Sequence, residues 1–342
     1  MITNADIDIF LLTCERTNYL NDAIKSLLLQ TCGVDRIFIV DNSHSDNVEN
    51  LVLSIDDKRL VYYRTSSLGR HGNYKKILEL CTREYLAIFH DDDIIHPKYI
   101  ESFLNYKNKF ASTDVKIYGC AQKSIDSATT VENIEFLPIN NQFFVTENCS
   151  LFLSLLYADF FDCVTPSLIY KREIFLKSNN IELYKTYGKL SDSAKLMSVA
   201  SDIDGGEIVV LLSQSYFYRK YCNQDSQVKG GLSIEQFNNF VRSLLKFTKN
   251  FKYCDYFQVI SILMSFYQYV FTETKFEVWL RNFMKEYRQK GVAMCIWEIM
   301  LKRHDSKKDY FKYILLKYQY KIYILLHKYI ERLILKAYTR SF

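Results

Sequence analysis

Residues 85–97 read YLAIFHDDDIIHP, an apolar segment that is followed by three consecutive aspartates. Residues 85–89 have the apolar character of a buried strand. Asp91, Asp92 and Asp93 then lie at the carboxyl end of that strand, where open α/β sheets place their ligand-binding crevices. This stretch therefore predicts an α/β protein with an acidic site at one edge of its sheet.

The three aspartates have two interpretations. Adjacent carboxylates repel one another by roughly 3 kcal/mol per pair at ~5 Å and an effective dielectric of ~20. A divalent cation removes that repulsion, and Mg²⁺ or Mn²⁺ prefers oxygen ligands that it shares with substrate phosphates. The alternative is an acidic turn that caps a helix beginning near Pro97, because Asp is a good N-cap and Pro suits the first helical position.

The composition is that of an ordinary globular protein. Of the 342 residues, 49% are hydrophobic and 24% are charged, so a sizeable core can form. We expect neither a signal segment nor a transmembrane helix, because no apolar run reaches about 18 residues. The nine cysteines include no CxxC pair, which predicts reduced thiols in a cytoplasmic protein rather than disulfides or a zinc site.

The net charge of +5 comes from the C-terminal end of the chain. Residues 302–342 contain 11 Lys and Arg against 3 Asp and Glu, whereas the rest of the chain contains 33 basic and 36 acidic side chains. A basic groove across the main part of the protein is therefore not expected, which argues against nucleic acid as a partner.

Residues 307–342 combine Leu, Ile and Tyr at helical spacing with interleaved Lys and Arg. This pattern predicts a basic amphipathic helix on an anionic membrane surface, where each Lys or Arg contributes about 1 kcal/mol. The protein would then be cytoplasmic and peripheral at the inner face of the cell membrane. The alternative is a helix packed on its own domain or on a partner subunit, which leaves a homo-oligomer open.

Strand and helix patterns alternate along the first part of the chain. Strands are predicted at 6–13, 36–40, 60–64, 85–89, 115–122 and 167–170, and helices at 20–30, 48–54, 72–81 and 97–110. This alternation predicts a largely parallel, doubly wound sheet with helices on both faces. From about residue 232 the periodicity is helical and proline is absent, so we predict an α/β domain over 1–230 and a helical C-terminal region over 231–342.

Polar clusters follow the first four predicted strands. They lie at 13–17, 41–46, 66–73 and 91–93. Because the carboxyl ends of parallel strands meet at one edge of a sheet, we expect these distant residues to lie close together. Asp, Asn, Ser and Gly are common in loops, but each cluster also contains charges that a simple turn does not need. One shared ligand site is the better interpretation.

The order of the elements and the spacing of these clusters resemble the family 2 glycosyltransferases with the GT-A fold. The family's Thr-x-x-Arg segment is matched by 13–16, its Val-Asp-[Asp/Asn]-x-Ser-x-Asp segment by 40–46, and its glycine-containing segment by 68–73. The D-x-D motif and the proline that follows it are matched by 90–97. The resemblance covers residues 6 to about 226 and implies an inverting, metal-dependent enzyme that uses nucleotide-sugar donors.

The resemblance also implies roles for individual residues around the nucleotide. Asp41 would accept a hydrogen bond from the base, because a carboxylate is the acceptor that an imide N–H requires. Mn²⁺ or Mg²⁺ would be held by Asp92 with Asp91 or Asp93; the chain has His90 where the family's stretch begins with aspartate. The other donor-binding residues that the resemblance implies are Thr13, Glu15, Arg16, Asp46, Gly69, Asn73 and Asp91.

The catalytic base is expected in a downstream segment. Residues 189–196 resemble the family's [Glu/Asp]-Asp segment at the start of a helix, where an acid deprotonates the acceptor hydroxyl. Asp192 is therefore the candidate base, and Asp162 is a second candidate. A plain helix N-cap is the alternative interpretation of Asp192.

A closing segment at 218–226 resembles the family's Tyr-Arg-x-His sequence, with Tyr221 in place of the histidine. Because that histidine often helps to bind the diphosphate or the metal, Arg219 and Lys220 become the expected phosphate contacts. The segment is also a candidate for a lid that orders over the bound donor.

The expected function is the transfer of one sugar, most simply from a UDP-sugar, to a hydroxyl of a lipid-linked or oligosaccharide precursor of a surface glycan. The Gln-x-x-Arg-Trp motif of processive synthases is absent, which favours one sugar per encounter. A nucleotidyltransferase is the competing enzyme, but no Gly-rich phosphate loop lies near the first strand. A membrane-associated scaffold that kept the fold and lost turnover is the non-enzymatic alternative.

Overall fold

The structure is a computed structural model, which describes ten stretches of the chain: 6–32, 34–65, 70–147, 149, 152–153, 156, 163–177, 183–221, 233–248 and 339–341. The predicted site residue Gly69 and the second candidate base, Asp162, lie outside these described residues. So do residues 307–338 of the predicted basic helix.

Strands and helices alternate along the described chain. The strands are β1 (Ile7–Thr13), β2 (Ile37–Asp41), β3 (Leu60–Arg64), β4 (Tyr85–His90), β5 (Ile94–Ile95), β6 (Val115–Ile125), β7 (Gln142–Thr146), β8 (Ile169–Lys171), β9 (Glu207–Arg219) and β10 (Thr339–Ser341). The helices are α1 (Leu20–Leu28), α2 (Asn47–Ser54), α3 (Arg70–Leu80), α4 (Tyr99–Lys109), α5 (Arg172–Lys177), α6 (Leu183–Tyr187), α7 (Ser191–Ser201) and α8 (Ile234–Thr248).

The ten strands form a single mixed sheet in the order β10-β7-β9-β6-β8-β4-β1-β2-β3, with β5 paired to β9. The pairs β1–β2, β1–β4, β2–β3 and β6–β9 are parallel. The unit β3-β2-β1-β4, each strand followed by a helix or a short loop, confirms the predicted parallel part of the sheet. The sequence did not predict the extension beyond β4, in which β8, β7 and β10 run antiparallel to their neighbours.

The central strands are buried on both faces, which explains their nearly continuous apolar sequences. In β1, Ile9 and Leu11 belong to one core cluster together with Ile24 of α1, whereas Phe10 belongs to a second cluster with Ile77 of α3. Successive side chains of a strand point to opposite faces. Helices therefore cover both faces of the parallel unit, as the sequence predicts.

Strand β9 is the longest strand of the described chain, and the sequence prediction missed it. Its apolar pattern is interrupted at 213–215, where Ser, Gln and Ser follow two leucines. The pairing with β6 shifts at this point, because Cys120 pairs with Leu211 while Ala121 pairs with Gln214. The irregularity is a β-bulge, which breaks the period-2 pattern on which strand prediction depends.

The described part of the predicted C-terminal region contacts the α/β domain. In α8, Phe237 and Phe240 are fully buried in the same core cluster as the residues of α7. The side chain of Ser243 lies 2.9 Å from the Tyr187 hydroxyl. Helix α8 therefore packs on the α/β domain, although it lies beyond the predicted boundary at residue 230.

The helix predicted over 307–342 is wrong at its end, because Thr339–Ser341 form strand β10. This strand pairs antiparallel with β7 and covers an edge that would otherwise have open backbone groups. Arg340 adds an ion pair of 2.8 Å with Glu207 and a 3.0 Å hydrogen bond to the Tyr106 hydroxyl. Among the helices that the structure describes, none combines the length and apolar character that a membrane crossing requires.

Candidate active site

The carboxyl ends of β1, β2 and β4 meet at one edge of the sheet. Thr13 at the end of β1 pairs with Asp41 of β2, and Leu12 pairs with His90 of β4. The Cys14 backbone N–H donates to Asp91 Oδ2 at 3.4 Å, which joins two of the predicted clusters directly. The expectation that the polar clusters converge is confirmed for those that the structure describes.

Arg16 bridges the first two aspartates of the triplet. Its Nη2 lies 2.7 Å from Asp91 Oδ1, and its Nη1 lies 3.0 Å from Asp92 Oδ2. The Tyr221 hydroxyl donates to the same Asp92 oxygen at 2.9 Å and accepts a 2.8 Å hydrogen bond from Arg16 Nη1. Burial raises the pKa of the Asp91 carboxyl above its usual range, and the Arg16 cation opposes that shift.

Asp93 ties strand β4 to strand β9. Its Oδ2 accepts a 2.6 Å hydrogen bond from the Tyr216 hydroxyl, and its Oδ1 accepts one of 2.8 Å from the Arg219 backbone N–H. Burial raises the pKa of the Asp93 carboxyl well above its usual range, and the neighbouring Asp92 raises it further. These two hydrogen bonds fix the end of β9 against the acidic edge.

The ligand atoms of His90, Asp92 and Asp93 lie within 4.8 Å of one another. Carboxylate oxygens with an imidazole nitrogen are donors that Mn²⁺ accepts, and the carboxylates also suit Mg²⁺. These residues therefore fit one divalent cation. His90 is added to the predicted ligands by this grouping. Asp91 lies outside the group, because its side chain faces Arg16 and the Cys14 N–H, and its role as a metal ligand stays a prediction.

Arg219 does not have the surface position that a phosphate contact requires. The side chain is fully buried, and its Nε donates to the Asp92 carbonyl oxygen at 2.8 Å. Its Nη1 donates to the carbonyl oxygens of Asp126 and Thr129, and its Nη2 lies 3.3 Å from the Asp22 carboxylate. The buried Arg219 side chain thus stabilises the loop that carries the aspartates. Lys220 is exposed and stays a predicted phosphate contact.

Replacing Arg219 with leucine is expected to lower the free energy of unfolding by about 3–5 kcal/mol, because the Asp22 carboxylate and three carbonyl oxygens lose their buried partner. Urea denaturation followed by circular dichroism measures this loss. The matched control is Lys220→Ala, one residue away and exposed, which should change stability by less than about 0.5 kcal/mol. Equal stabilities of the two variants would contradict the supporting role of Arg219.

Asp41 is fully buried at the end of β2. Its Oδ1 accepts a 2.8 Å hydrogen bond from the Ser43 backbone N–H, and its Oδ2 accepts one of 2.6 Å from the Tyr62 hydroxyl. Burial, with help from Asp41, raises the pKa of Tyr62 to about 12, so Tyr62 remains a hydrogen-bond donor at neutral pH. The sequence analysis missed Tyr62, although its position two residues before the end of β3 places it beside β2.

Glu15 holds two of the converging loops together. Its backbone has φ 57°, a left-handed conformation that is uncommon for a residue with a side chain. One carboxylate oxygen accepts from the His44 N–H at 2.5 Å, and the other accepts from the Ser45 hydroxyl at 2.5 Å. These hydrogen bonds lower the pKa of Glu15. The Glu15 carboxylate thus shapes the loop after β2, and its contact with a nucleotide stays a prediction.

Two other predicted donor-binding residues also have protein partners. Asp46 Oδ1 accepts a 2.7 Å hydrogen bond from Arg64 Nη1, and the Asp46 side chain remains 72% exposed. Asn73 is buried, and its Oδ1 accepts a 2.5 Å hydrogen bond from the Thr65 hydroxyl. Both residues lie at the carboxyl edge of the sheet, and their contacts with a nucleotide stay predictions.

Asp192 lies in the first turn of α7 and lines a cleft. Its Oδ1 accepts a 2.6 Å hydrogen bond from the Tyr74 hydroxyl. His90 of the candidate metal group and Lys195, one turn further along α7, line the same cleft. Burial lowers the pKa of Lys195 to about 8. The candidate base therefore faces the same space as a residue of the candidate metal group.

Comparison with known proteins identifies relatives of the first half of the chain. Residues 8–176 match the family model described as Glycosyl transferase family 2. An uncharacterized glycosyltransferase of Rickettsia typhi is 29% identical over 159 residues, which are 45% of this chain and 48% of that protein. One of Rickettsia felis is 33% identical over 129 residues, which are 36% of this chain and 21% of that protein. The chain thus spans about half of these relatives or less.

The fold is also found among solved structures. The crystal structure of S. aureus TarS 1-349 in complex with UDP-GlcNAc has a TM-score of 0.58 with this chain, at 14% sequence identity. The superposition covers 92% of this chain and 91% of that one. At this level of identity the likeness shows a shared fold.

Proposed function

The chain carries a family 2 glycosyltransferase domain with the GT-A fold, and we propose that it is an inverting, metal-dependent enzyme that transfers one sugar from a nucleotide-sugar to an acceptor hydroxyl. The observation that carries the proposal is the cleft that Asp192 shares with His90, the last residue of β4. Asp192 and His90 both line this cleft, and Asp92 and Asp93 complete the candidate metal group with His90. An inverting displacement needs a base on one side of the sugar and a stabilised leaving group on the other, and these residues would supply the two functions.

A UDP-sugar is the proposed donor. The buried carboxylate of Asp41 is an acceptor of the kind that the uracil N3–H requires. It lies at the end of β2, one strand away from β1 and two from the aspartates that follow β4. S. aureus TarS, which shares the fold, binds UDP-GlcNAc. Uracil would therefore occupy the β2 side of the edge, and its diphosphate would extend toward Asp92.

Different residues of the site would bind the metal, remove the proton of the acceptor and position the aspartates. His90, Asp92 and Asp93 would hold Mn²⁺ or Mg²⁺, which supplies positive charge beside the departing diphosphate. Asp192 removes the proton from the acceptor hydroxyl. The Tyr74 hydroxyl orients the Asp192 carboxylate through its hydrogen bond to Oδ1. Arg219 at the end of β9 positions the aspartate loop, because its backbone N–H donates to Asp93 and its Nε donates to the Asp92 carbonyl oxygen.

We propose a lipid-linked or oligosaccharide precursor of a surface glycan as the acceptor, because residues 307–342 have the basic, aromatic-rich pattern of a segment that binds anionic membranes. Such a segment would bring the enzyme to acceptors at the inner face of the cell membrane. Only 339–341 of this segment belong to the described residues. The division into a domain at 1–230 and a helical region at 231–342 is part of the same proposal.

A second candidate is a binding protein with this fold and no turnover. The observation that favours it is the ion pair of Arg16 with Asp91 and Asp92, which already neutralises part of the acidic edge. Slow hydrolysis of a UDP-sugar without acceptor separates the two candidates, since a transferase releases UDP in this assay and a scaffold does not. Release of pyrophosphate from a nucleoside triphosphate would instead identify a nucleotidyltransferase.

Calorimetric titration of UDP into the purified protein, first with Mn²⁺ and then with EDTA, tests the proposal. We expect UDP to bind with Mn²⁺ and at least about tenfold more weakly in EDTA, because a metal held by His90, Asp92 and Asp93 would supply positive charge for the diphosphate. Titration of CDP is the control for the base. The absence of UDP binding under both conditions would contradict a uridine nucleotide as donor.

A further inference from the structure

Arg16 occupies the charge-compensating position at the first two aspartates of the triplet. We propose that Arg16 is an internal counter-cation, which competes with the divalent metal for Asp92. A bound diphosphate would end this competition, because the Arg16 guanidinium would then pair with the phosphate instead of the aspartates. The metal and the nucleotide-sugar would then bind as a pair, each weakly by itself. This inference rests on the proposed function, and it specifies how the binding of the metal and the binding of the nucleotide-sugar depend on each other.

Arg16 pairs with two carboxylates that are almost completely buried. Its side chain is 39% exposed, whereas the side chains of Asp91 and Asp92 are only 0% and 5% exposed. Two guanidinium nitrogens reach two different carboxylates, at 2.7 and 3.0 Å. The contact with Asp92 is a charge-assisted hydrogen bond, which is among the stronger hydrogen bonds in proteins, and the contact with Asp91 is an ion pair. The guanidinium of the partly exposed Arg16 side chain thus pairs with two buried carboxylates.

Tyr221 strengthens the position of Arg16 on Asp92. Its hydroxyl accepts from Arg16 Nη1 at 2.8 Å and donates to Asp92 Oδ2 at 2.9 Å, so one carboxylate oxygen receives two donors. The Tyr221 ring packs against the Tyr19 ring, with centroids 5.1 Å apart. This packing fixes the hydroxyl beside the oxygen, and Tyr221 therefore helps to hold the guanidinium in place.

A divalent cation and the bound guanidinium are poorly compatible at Asp92. Asp92 is a member of the candidate metal group with His90 and Asp93, and its Oδ2 is already engaged by Arg16 and Tyr221. A cation placed on this carboxylate would lie a few ångströms from the guanidinium, where two positive charges repel each other strongly. Binding of the metal alone must overcome that repulsion or displace Arg16.

A diphosphate offers Arg16 another anionic partner. The planar guanidinium pairs with phosphate oxygens through two parallel hydrogen bonds, and it is less strongly hydrated than a lysine ammonium. Because Arg16 is partly exposed, its guanidinium can turn from the aspartates to a phosphate at the mouth of the site without unfolding the loop. Linkage is reciprocal, so a nucleotide that removes Arg16 raises the affinity for metal, and metal raises the affinity for the nucleotide equally.

Calorimetric titration of Mn²⁺ into the full-length protein, with and without saturating UDP, tests the inference. Without UDP, Arg16→Gln and Arg16→Met should bind Mn²⁺ about 10- to 100-fold more tightly than the wild type, because the competing charge is removed. Arg16→Lys keeps the charge and should stay within about threefold of the wild type. Thermal melting checks that each variant is folded.

The same titrations also measure the coupling between UDP binding and Mn²⁺ binding. UDP should increase the Mn²⁺ affinity of the wild type by a factor that is at least about fivefold larger than the factor in the two neutral variants. Arg59→Gln is the matched control, because Arg59 pairs at 2.7 Å with Asp57, before the start of β3 and away from the site. Its Mn²⁺ affinity and its coupling should equal those of the wild type.

The outcomes separate this inference from the proposed function. Equal Mn²⁺ affinities in the wild type and both neutral variants, with normal binding of UDP in the presence of Mn²⁺, would overturn the counter-cation role and leave the proposed function intact. Tighter binding in Arg16→Lys as well would overturn the role of charge. Absence of Mn²⁺ binding to all the proteins, with and without UDP, would overturn the counter-cation role and the metal dependence together.

Discussion

Replacing Asp92 with alanine is expected to reduce sugar transfer by about 10³-fold or more, since the site loses the carboxylate at the centre of the candidate metal group and with it several kcal/mol of charge stabilisation. Asp92 is the member of that group on which the contacts of Arg16 and Tyr221 also converge. The measurement is the rate of UDP release in the presence of acceptor, taken over a range of Mn²⁺ concentrations.

Asp57→Ala is the control for this variant. Asp57 is a carboxylate in an ion pair with Arg59, and it precedes β3 at the end of the sheet opposite the site. We expect its transfer rate and its dependence on Mn²⁺ to match the wild type. A rate for Asp92→Ala close to that of Asp57→Ala would show that the metal assignment is mistaken.

Asp192→Asn is expected to reduce transfer by about 10²- to 10⁴-fold while the affinity for UDP with Mn²⁺ stays unchanged. The amide cannot take the proton of the acceptor hydroxyl, but it keeps the size of the side chain and an oxygen that can accept from Tyr74. The Tyr74 hydroxyl lies 2.6 Å from Asp192 Oδ1. Single-turnover transfer and UDP calorimetry together separate the loss of chemistry from a loss of binding.

The same substitution at the other end of α7 provides the comparison. Asp202 follows the last residue of that helix and is exposed, so Asp202→Asn should transfer sugar at the wild-type rate. Transfer by Asp192→Asn within a few-fold of Asp202→Asn would mean that the base is another residue. Asp162 would then be the next candidate.

Local sequence patterns predicted the parallel half of the sheet. The strand expected over 60–64 is β3, Leu60–Arg64, and the strand expected over 85–89 is extended by one residue to His90. These strands are short, apolar and bounded by turns, so their periodicity and length determine the assignment. Strands β7 and β9 were missed, because the bulge near Gln214 breaks the pattern and the partner of β7 is about 65 residues away in the chain.

The site could be predicted as a set of loops, but the contacts within it could not. Strand order alone indicates that the clusters after β1 and β4 meet, and Arg16 does meet Asp91 and Asp92. Which polar groups satisfy each other depends on side-chain geometry across 76 to 129 residues of sequence. A buried position for Arg219 had no local signal, because it follows from the carbonyl oxygens of a loop that is 90 residues away.

Strand β10 brings the C-terminal end of the chain back to the sheet domain. Helix α8 packs on the core of the sheet domain and ends at Thr248, and Thr339–Ser341 return to an edge of the same sheet. The chain therefore leaves the sheet domain after Thr248 and is paired with it again at Thr339, so both of these points are fixed on one body. After cleavage between Thr248 and Thr339, β10 would be held by its backbone pairing with β7 and by the contacts of Arg340 with Glu207 and Tyr106. Removing 307–342 would take away a strand as well as a basic segment, and it would open the edge of β7 to other chains.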